Sequence, residues 1–147
     1  MALRKDMVKY IYFVNERRPN VISNGNLNDH CFIYTIKDEL YRMVSNEITS
    51  ILDNYIEPML VEYDFDSKII QIECEIGHSL FLTLNGNVYG SGTNEFNQLT
   101  NEYLSNNKYG IYKIYDKNDI IRIGCSCGSS YLLTKNNRLL SVGLNSF

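Results

Sequence analysis

The chain has 147 residues, of which 44% are hydrophobic, 21% charged and 12% aromatic, with a net charge of −3. It is long enough for one packed domain, lacks the composition of a disordered chain, and has no overall basicity that would favour direct nucleic-acid binding. No apolar run approaches the roughly 20 residues of a membrane span, and the opening Met1-Ala2-Leu3-Arg4-Lys5-Asp6 lacks the apolar core of a secretory signal. These features point to an intracellular protein, cytoplasmic or nuclear, without membrane contact.

Residue choice sets the fold class. Eighteen Asn, 16 Ile and 12 Tyr stand against a single alanine, Ala2. Good strand formers and poor helix formers dominate, which predicts an all-β fold. An internal repeat organises the elements. Residues 69–96 (IIQIECEIGHSLFLTLNGNVYGSGTNEF) and 120–147 (IIRIGCSCGSSYLLTKNNRLLSVGLNSF) align without a gap at an offset of 51, with 12 of 28 positions identical. A weaker copy, residues 30–47, keeps His30, Thr35, Tyr41, Asn46 and Glu47 against residues 78–95.

Residues 9–16 echo residues 88–95 too briefly to count as a repeat. Residues 30–47 alternate apolar and polar around Lys37-Asp38, which predicts a hairpin. Residues 47–56 place Ile48, Ile51, Leu52 and Ile56 at helical spacing, with Asn46 or Ser45 as cap. A short helix fits there, and so does a loop or strand. Residues 69–74 read as a strand, and Gly77 follows where the chain must turn. Residues 79–84 and 87–92 flank Asn85-Gly86, the strongest short hairpin signal, which predicts positive φ at both turn residues. Alternation puts Leu80, Leu82 and Leu84 on one face, and with Ile69 and Ile72 they form the predicted core of this repeat.

Residues 97–107 are polar and read as an exposed loop. The last copy repeats the pattern: a strand at 120–125, Gly128, then a hairpin over 131–143 turning at Asn136-Asn137. Three or four strands in about 50 residues is the length of a propeller blade. The expected organisation is one partial propeller domain over 1–147. It comprises a degenerate repeat at about 20–68, a repeat at about 69–119 and an incomplete repeat at 120–147.

Catalytic chemistry finds little footing. Gly90-Ser91-Gly92 ends a hairpin strand rather than joining a strand to a helix, so it is no phosphate loop. Cys31, Cys74, Cys125 and Cys127 read as reduced, buried thiols. The Cys125-Ser126-Cys127 pair has no further ligands at zinc spacing. His30 and His78, the two histidines, read as packed structural residues. No catalytic, cofactor-binding or metal-binding residue is expected, and no cofactor. Charge is uneven: residues 38–75 hold ten acids against Arg42 and Lys68, and residues 1–20 carry a net of +3. The acidic stretch reads as a solvated face or as a docking patch for a basic partner.

Several short elements together resemble the repeat of the regulator of chromosome condensation family. They are Gly77-His78-Ser79, Leu82-Thr83, Asn85-Gly86, and Gly92-x-Asn94-Glu95-Phe96-x-Gln98-Leu99. Gly128, Asn136, Gly143 and Asn145 fall at matching places in the last copy. The resemblance is clear from residue 69 onward. It implies that these twelve positions, Gly77, His78, Ser79, Asn85, Gly86, Gly92, Asn94, Gln98, Gly128, Asn136, Gly143 and Asn145, are structural motif residues of antiparallel propeller blades. The sequence departs from the pattern at Ser91 and Val142, where Trp is usual, at Asn97 and Thr100, where Gly is usual, and at Ser129, which replaces the motif His. The family implies a non-catalytic protein-interaction module, linked in some members to nucleotide exchange on a small GTPase and in others to scaffolding in larger regulatory assemblies. The family closes seven blades, whereas this chain carries about three. The expectation is therefore a fragment, or a propeller completed by another chain or another copy.

Overall fold

The computed structural model describes residues 8–13, 30–35, 37–44, 59–75, 77–102, 104 and 110–144. Among the described residues there are eleven strands and no helix. They are β1 (Val8–Phe13), β2 (His30–Thr35), β3 (Leu40–Val44), β4 (Met59–Leu60), β5 (Ile69–Glu75), β6 (His78–Thr83), β7 (Val88–Gly92), β8 (Ile111–Tyr115), β9 (Ile120–Ser126), β10 (Ser129–Thr134) and β11 (Leu139–Gly143). The chain divides into two compact units, Met1–Glu62 and Tyr63–Phe147.

The first unit holds one antiparallel sheet in the order β1-β2-β3-β4. Phe32, Tyr34, Leu40 and Tyr41 are buried in it. The predicted hairpin is there, with Phe32 opposite Arg42 and Tyr34 opposite Leu40. The Arg42 guanidinium lies 5.2 Å from the centre of the Phe32 ring, a cation–π contact. The repeat offset would place the first strand near residues 21–27, but the partner of β2 is β1 at Val8–Phe13. The physical reason is composition: 21–27 reads VISNGNL, broken by Asn and Gly, while VKYIYF is β-branched and aromatic. The helix considered at residues 47–56 lies outside the described residues.

The second unit holds two antiparallel sheets, β5-β6-β7-β8 and β11-β10-β9. The central strand β6 is buried on both faces. Leu80 and Leu82, with Val88, pack against Ile120, Ile123 and Leu132 of the last sheet in one core cluster. On the other face, Phe81 and Tyr89 pack around Phe65, whose ring centre lies 5.9 and 5.0 Å from theirs. Each fully buried aliphatic side chain contributes about 1.5–3 kcal/mol.

Two expectations need correction. Leu84 is 64% exposed, because β6 ends at Thr83 and Leu84 opens the turn. The segment after β7 is not simply an exposed loop. Gln98 and Leu99 are each 2% exposed, and Leu99 plugs the core beside Gly90.

All three hairpins turn in one way. In each, a Thr amide bonds the carbonyl four residues on: Thr35 to Glu39 at 3.0 Å, Thr83 to Asn87 at 3.0 Å and Thr134 to Arg138 at 2.9 Å. Among the described residues of each turn, only the one before that carbonyl has positive φ: Asp38 at 62°, Gly86 at 82° and Asn137 at 59°. This is a three-residue loop with one left-handed position, so the expected positive φ at Asn85 and Asn136 is not observed. Asp and Asn tolerate that conformation, which explains how Lys37-Asp38 and Asn136-Asn137 stand in for Asn85-Gly86.

Candidate functional site

Polar side chains of both sheets meet at the contact between the two sheets of the second unit. Gln71, on β5, grips the backbone of Ile123 on β9. Its Oε1 accepts from the Ile123 amide at 3.0 Å and its Nε2 donates to the Ile123 carbonyl at 2.9 Å. Gln71 Nε2 also donates to Glu73 at 2.8 Å. Each of these bonds contributes about 1 kcal/mol net, and leaving a buried partner unmade costs more.

His78 begins β6 and is fully buried, with Nε2 3.0 Å from Ser130 Oγ on β10. The Ser130 hydroxyl donates to the Gln98 carbonyl at 2.6 Å. Its single proton is thus used, so His78 Nε2 carries a proton and donates to Ser130. His78 Nδ1 is then a buried lone pair without a hydrogen-bond partner in the structure. Burial holds the imidazole below its ordinary pKa of 6.5, opposed in part by the Ser129 backbone and by Glu75. His78 is placed as a neutral joint between sheets.

Asn94 and Gln98 brace the connection that follows β7. Asn94 Oδ1 accepts from the amides of Leu99 at 2.8 Å and Thr100 at 3.2 Å, while its Nδ2 donates to the Thr100 carbonyl at 2.8 Å. Gln98 Nε2 donates to Thr93 Oγ1 at 3.0 Å, and its Oε1 accepts from the Phe96 amide at 2.9 Å. Gly92 and Gly143 have φ of 110° and 120°. A Cβ on either would lie 2.2 Å from a carbonyl oxygen, that of Gly77 or of Gly128. The glycine pairs Gly77/Gly92 and Gly128/Gly143 therefore mark the same close backbone crossing in both sheets. Ser79 is buried on β6, and Asn85 and Asn136 are exposed in their turns. Asn145 lies outside the described residues.

At the other end of the sheets, Asn87 ties three segments together. Its Nδ2 donates to Asp66 and, at 2.8 Å, to Asn118 Oδ1, and its Oδ1 accepts from the Asn118 amide at 3.0 Å. Lys113 Nζ lies 3.5 Å from Asp66. Desolvation raises the Asp66 carboxyl, but bonds from Asn87 and Thr83 and the Lys113 charge outweigh it and leave the pKa below the ordinary range.

The cysteines divide. Cys125 is partly buried, with Sγ 3.8 Å from the Glu73 carbonyl. Burial and the neighbouring Cys74 and Glu73 push its thiol strongly up, which makes it a poor nucleophile. Cys127, expected at a packed position, is exposed in the turn after β9. Its repeat counterpart, Ile76, is apolar, but a turn position carries no requirement for burial. Among the described residues, no group of three His, Cys, Asp or Glu could hold a metal ion.

Reading the motif alone misses Gln71, Ser130 and Asn87. Gln71 is replaced by Arg122 in the last copy, so the repeat hid it. Ser130 is identical to Ser79 in the repeat, a signal that was available.

The matching hairpins and close crossings recur at the repeat offset, and the comparison with known families agrees. Residues 69–98 match the family model described as "Regulator of chromosome condensation (RCC1) repeat". Residues 69–98 are an RCC1 repeat. The mouse serine/threonine-protein kinase Nek9 is 28% identical over 96 residues, covering 63% of this chain and 10% of that protein. An RCC1 domain-containing protein of Dictyostelium discoideum is 33% identical over 117 residues, covering 64% of this chain and 23% of that protein. The chain thus spans less than a quarter of the length of either curated relative. Among solved structures, Prp20p from Saccharomyces cerevisiae superposes with a TM-score of 0.66 at 23% identity, over 82% of this chain and 30% of that one. Human WBSCR16 superposes with a TM-score of 0.67 at 17% identity, over 97% of this chain and 34% of that one. These likenesses show the fold, a partial β-propeller of antiparallel RCC1-type sheets. The kinase name carries no activity to this chain, which covers 10% of that protein. Among the described residues, no helix is long and apolar enough to cross a membrane.

Proposed function

We infer that the chain is a non-catalytic protein-interaction module, a set of RCC1-type blades in one partial propeller whose surfaces contact a protein partner. The observation that carries this reading is the use of the motif's polar groups. His78 of the motif, with Gln71 and Ser130 beside it, is turned inward to join sheets, while the Asn94 and Gln98 side chains brace their own connection, which makes a rigid scaffold and leaves recognition to turns and outer faces. The finer reading is contact with a small GTPase. The Prp20p structure is described with its binding properties to Gsp1p and histones, and yeast RCC1 (Prp20) has been solved bound to Kap60. Exchange needs no covalent step: a partner that binds the nucleotide-free GTPase more tightly lowers its nucleotide affinity by that difference.

Titration calorimetry with Gsp1p, loaded with GDP and stripped of nucleotide, tests this. Tighter binding to the stripped form supports exchange, and equal binding supports scaffolding. No binding to Gsp1p or to histones at micromolar concentrations overturns both.

A second reading is favoured by Leu139, which is 67% exposed on β11. Here the sheets are part of a propeller that another chain or another copy completes. Light scattering on size-exclusion peaks would show a dimer or larger species, whereas a monomer at high concentration counts against a second copy.

A further inference from the structure

The turns of the last two hairpins match bond for bond and differ in the residue that follows an exposed Asn. The Gly86 amide donates to the Thr83 carbonyl at 2.9 Å, and the Asn137 amide donates to the Thr134 carbonyl at 3.0 Å. The Leu84 amide donates to the Lys68 carbonyl and the Lys135 amide to the Asp119 carbonyl, each at 2.8 Å. Asn85 and Asn136 stand at the same exposed place, directly before the left-handed residue. That residue is Gly86 in the middle sheet and Asn137 in the last.

Asn is a labile residue because the backbone nitrogen after it can attack its side chain. A following Gly favours that attack, since it has no Cβ in the way and the widest choice of backbone angles. In the folded turn both reacting groups are held. The Gly86 amide is engaged by Thr83. Asn85 donates from its own amide to Ser67 Oγ at 3.1 Å and from Nδ2 to the Asp66 carbonyl at 3.4 Å. The last bond is long and exposed, so a local opening of the hairpin tip frees the side chain. The tip also carries part of the joint between the sheets. The Gly86 carbonyl accepts from the amide of Ile120, the first residue of β9, at 3.1 Å. A Cβ on Gly86 would lie 2.8 Å from the Asn118 carbonyl carbon, so the seat has no room for an added atom.

We propose that Asn85 is a site of spontaneous deamidation and isoaspartate formation, reached through opening of its turn, and that the isoaspartyl product releases the hairpin tip from the last sheet. The Gly86 nitrogen bonds to Asn85 Cγ as the Cγ–Nδ2 bond breaks, and ammonia leaves with the amide proton. Water then opens the cyclic imide. Attack at Cγ gives aspartate with the path of the chain unchanged. Attack at the main-chain carbonyl leaves Gly86 joined through Cγ, which adds a methylene carbon to the backbone. Water is the only reagent consumed, and nothing is oxidised or reduced. The added carbon moves Gly86 out of the seat from which it holds Ile120. The site therefore sets a lifetime on the contact between the β6–β7 hairpin and β9, whatever partner the chain binds.

The test incubates the full chain at mildly alkaline pH, where the backbone amide loses its proton more readily. Samples are followed by peptide mapping with mass spectrometry and by isoaspartyl methyltransferase labelling. The map separates residue 85 from Asn24-Gly25, the chain's other Asn-Gly pair. Asn85 is expected to convert at least about tenfold faster than Asn136. Asn137→Gly, which puts Gly after Asn136 in a turn of the same geometry, is expected to raise conversion at Asn136 by a similar factor. Chain enriched in isoaspartate at residue 85 is expected to unfold at a lower urea concentration than fresh chain. Asn85→Asp, which makes the other product directly, is expected to fall between them, and Asn85→Ser to abolish the loss on ageing. Equal rates at Asn85 and Asn136, conversion of Asn85 only in urea, or an ageing loss that persists in Asn85→Ser would overturn the proposal. So would isoaspartyl-enriched chain with the urea midpoint of fresh chain.

Discussion

Gln71 holds both backbone hydrogen-bonding groups of Ile123, a residue 52 positions later on the neighbouring sheet, through bonds of 2.9 and 3.0 Å. The amide side chain matches the amide of the backbone, donor to acceptor and acceptor to donor. Gln71→Ala should cost about 1–3 kcal/mol, because two backbone groups lose their partner inside the contact. Gln71→Glu should cost at least as much. It keeps one acceptor, loses the donor, and sets a second carboxylate beside Glu73, which now accepts from Gln71. Urea unfolding of the two variants checks both the loss and the order.

Leu82 and Leu84 test where the strand ends. Leu82 is 1% exposed and Leu84 64%. Leu82→Ala should cost roughly 2–5 kcal/mol, while Leu84→Ala should stay within about 0.5 kcal/mol. Similar losses at both sites would mean that β6 runs on past Thr83.

The turn and crossing glycines should behave differently. Asn137→Gly should be neutral or stabilising by a few tenths of a kcal/mol, since φ there is 59° and Gly takes it without strain. Gly92→Ala should cost roughly 3–5 kcal/mol or prevent folding, because its Cβ would lie 2.2 Å from the Gly77 oxygen. Thermal unfolding of the two variants reads both. A near-native Gly92→Ala would show that the crossing is looser than described.

Much of this architecture is legible in the sequence, and the exceptions have physical causes. The hairpins of all three sheets are visible in alternation and turn residues. The last two sheets are visible in a gapless offset of 51. What was hidden lay where two elements share a job. Gln71 escapes notice because its repeat partner is Arg122, and a contact made to a neighbour's backbone leaves no trace in that neighbour's side chains. Leu99 sits in a polar stretch, and its burial depends on the space left by Gly90. The strand paired with β2 on its far side is Val8–Phe13, a β-branched and aromatic run well upstream of the repeat offset. The turn type was misjudged because Asn-Gly suits two hairpin loops equally well, and loop length decides between them.

His78 should also impose a pH dependence. Burial holds its folded pKa below the ordinary 6.5, so the unfolded chain takes up a proton more readily. The stabilisation is present above pH 6.5 and is lost as the pH falls through the depressed folded value. Stability measured from pH 8 to pH 5 should therefore decline more steeply in the native chain than in His78→Gln. Parallel curves would mean that His78 can be protonated in place.

If the motif residues join the sheets rather than perform chemistry, His78 and Ser130 must be coupled energetically. A double-mutant cycle with His78→Phe and Ser130→Ala, read by equilibrium unfolding, measures that coupling directly. A coupling of roughly 1 kcal/mol or more, within the usual range for contacting residues, is the expected result. Strict additivity of the two single losses would contradict it, and the histidine would then need another role.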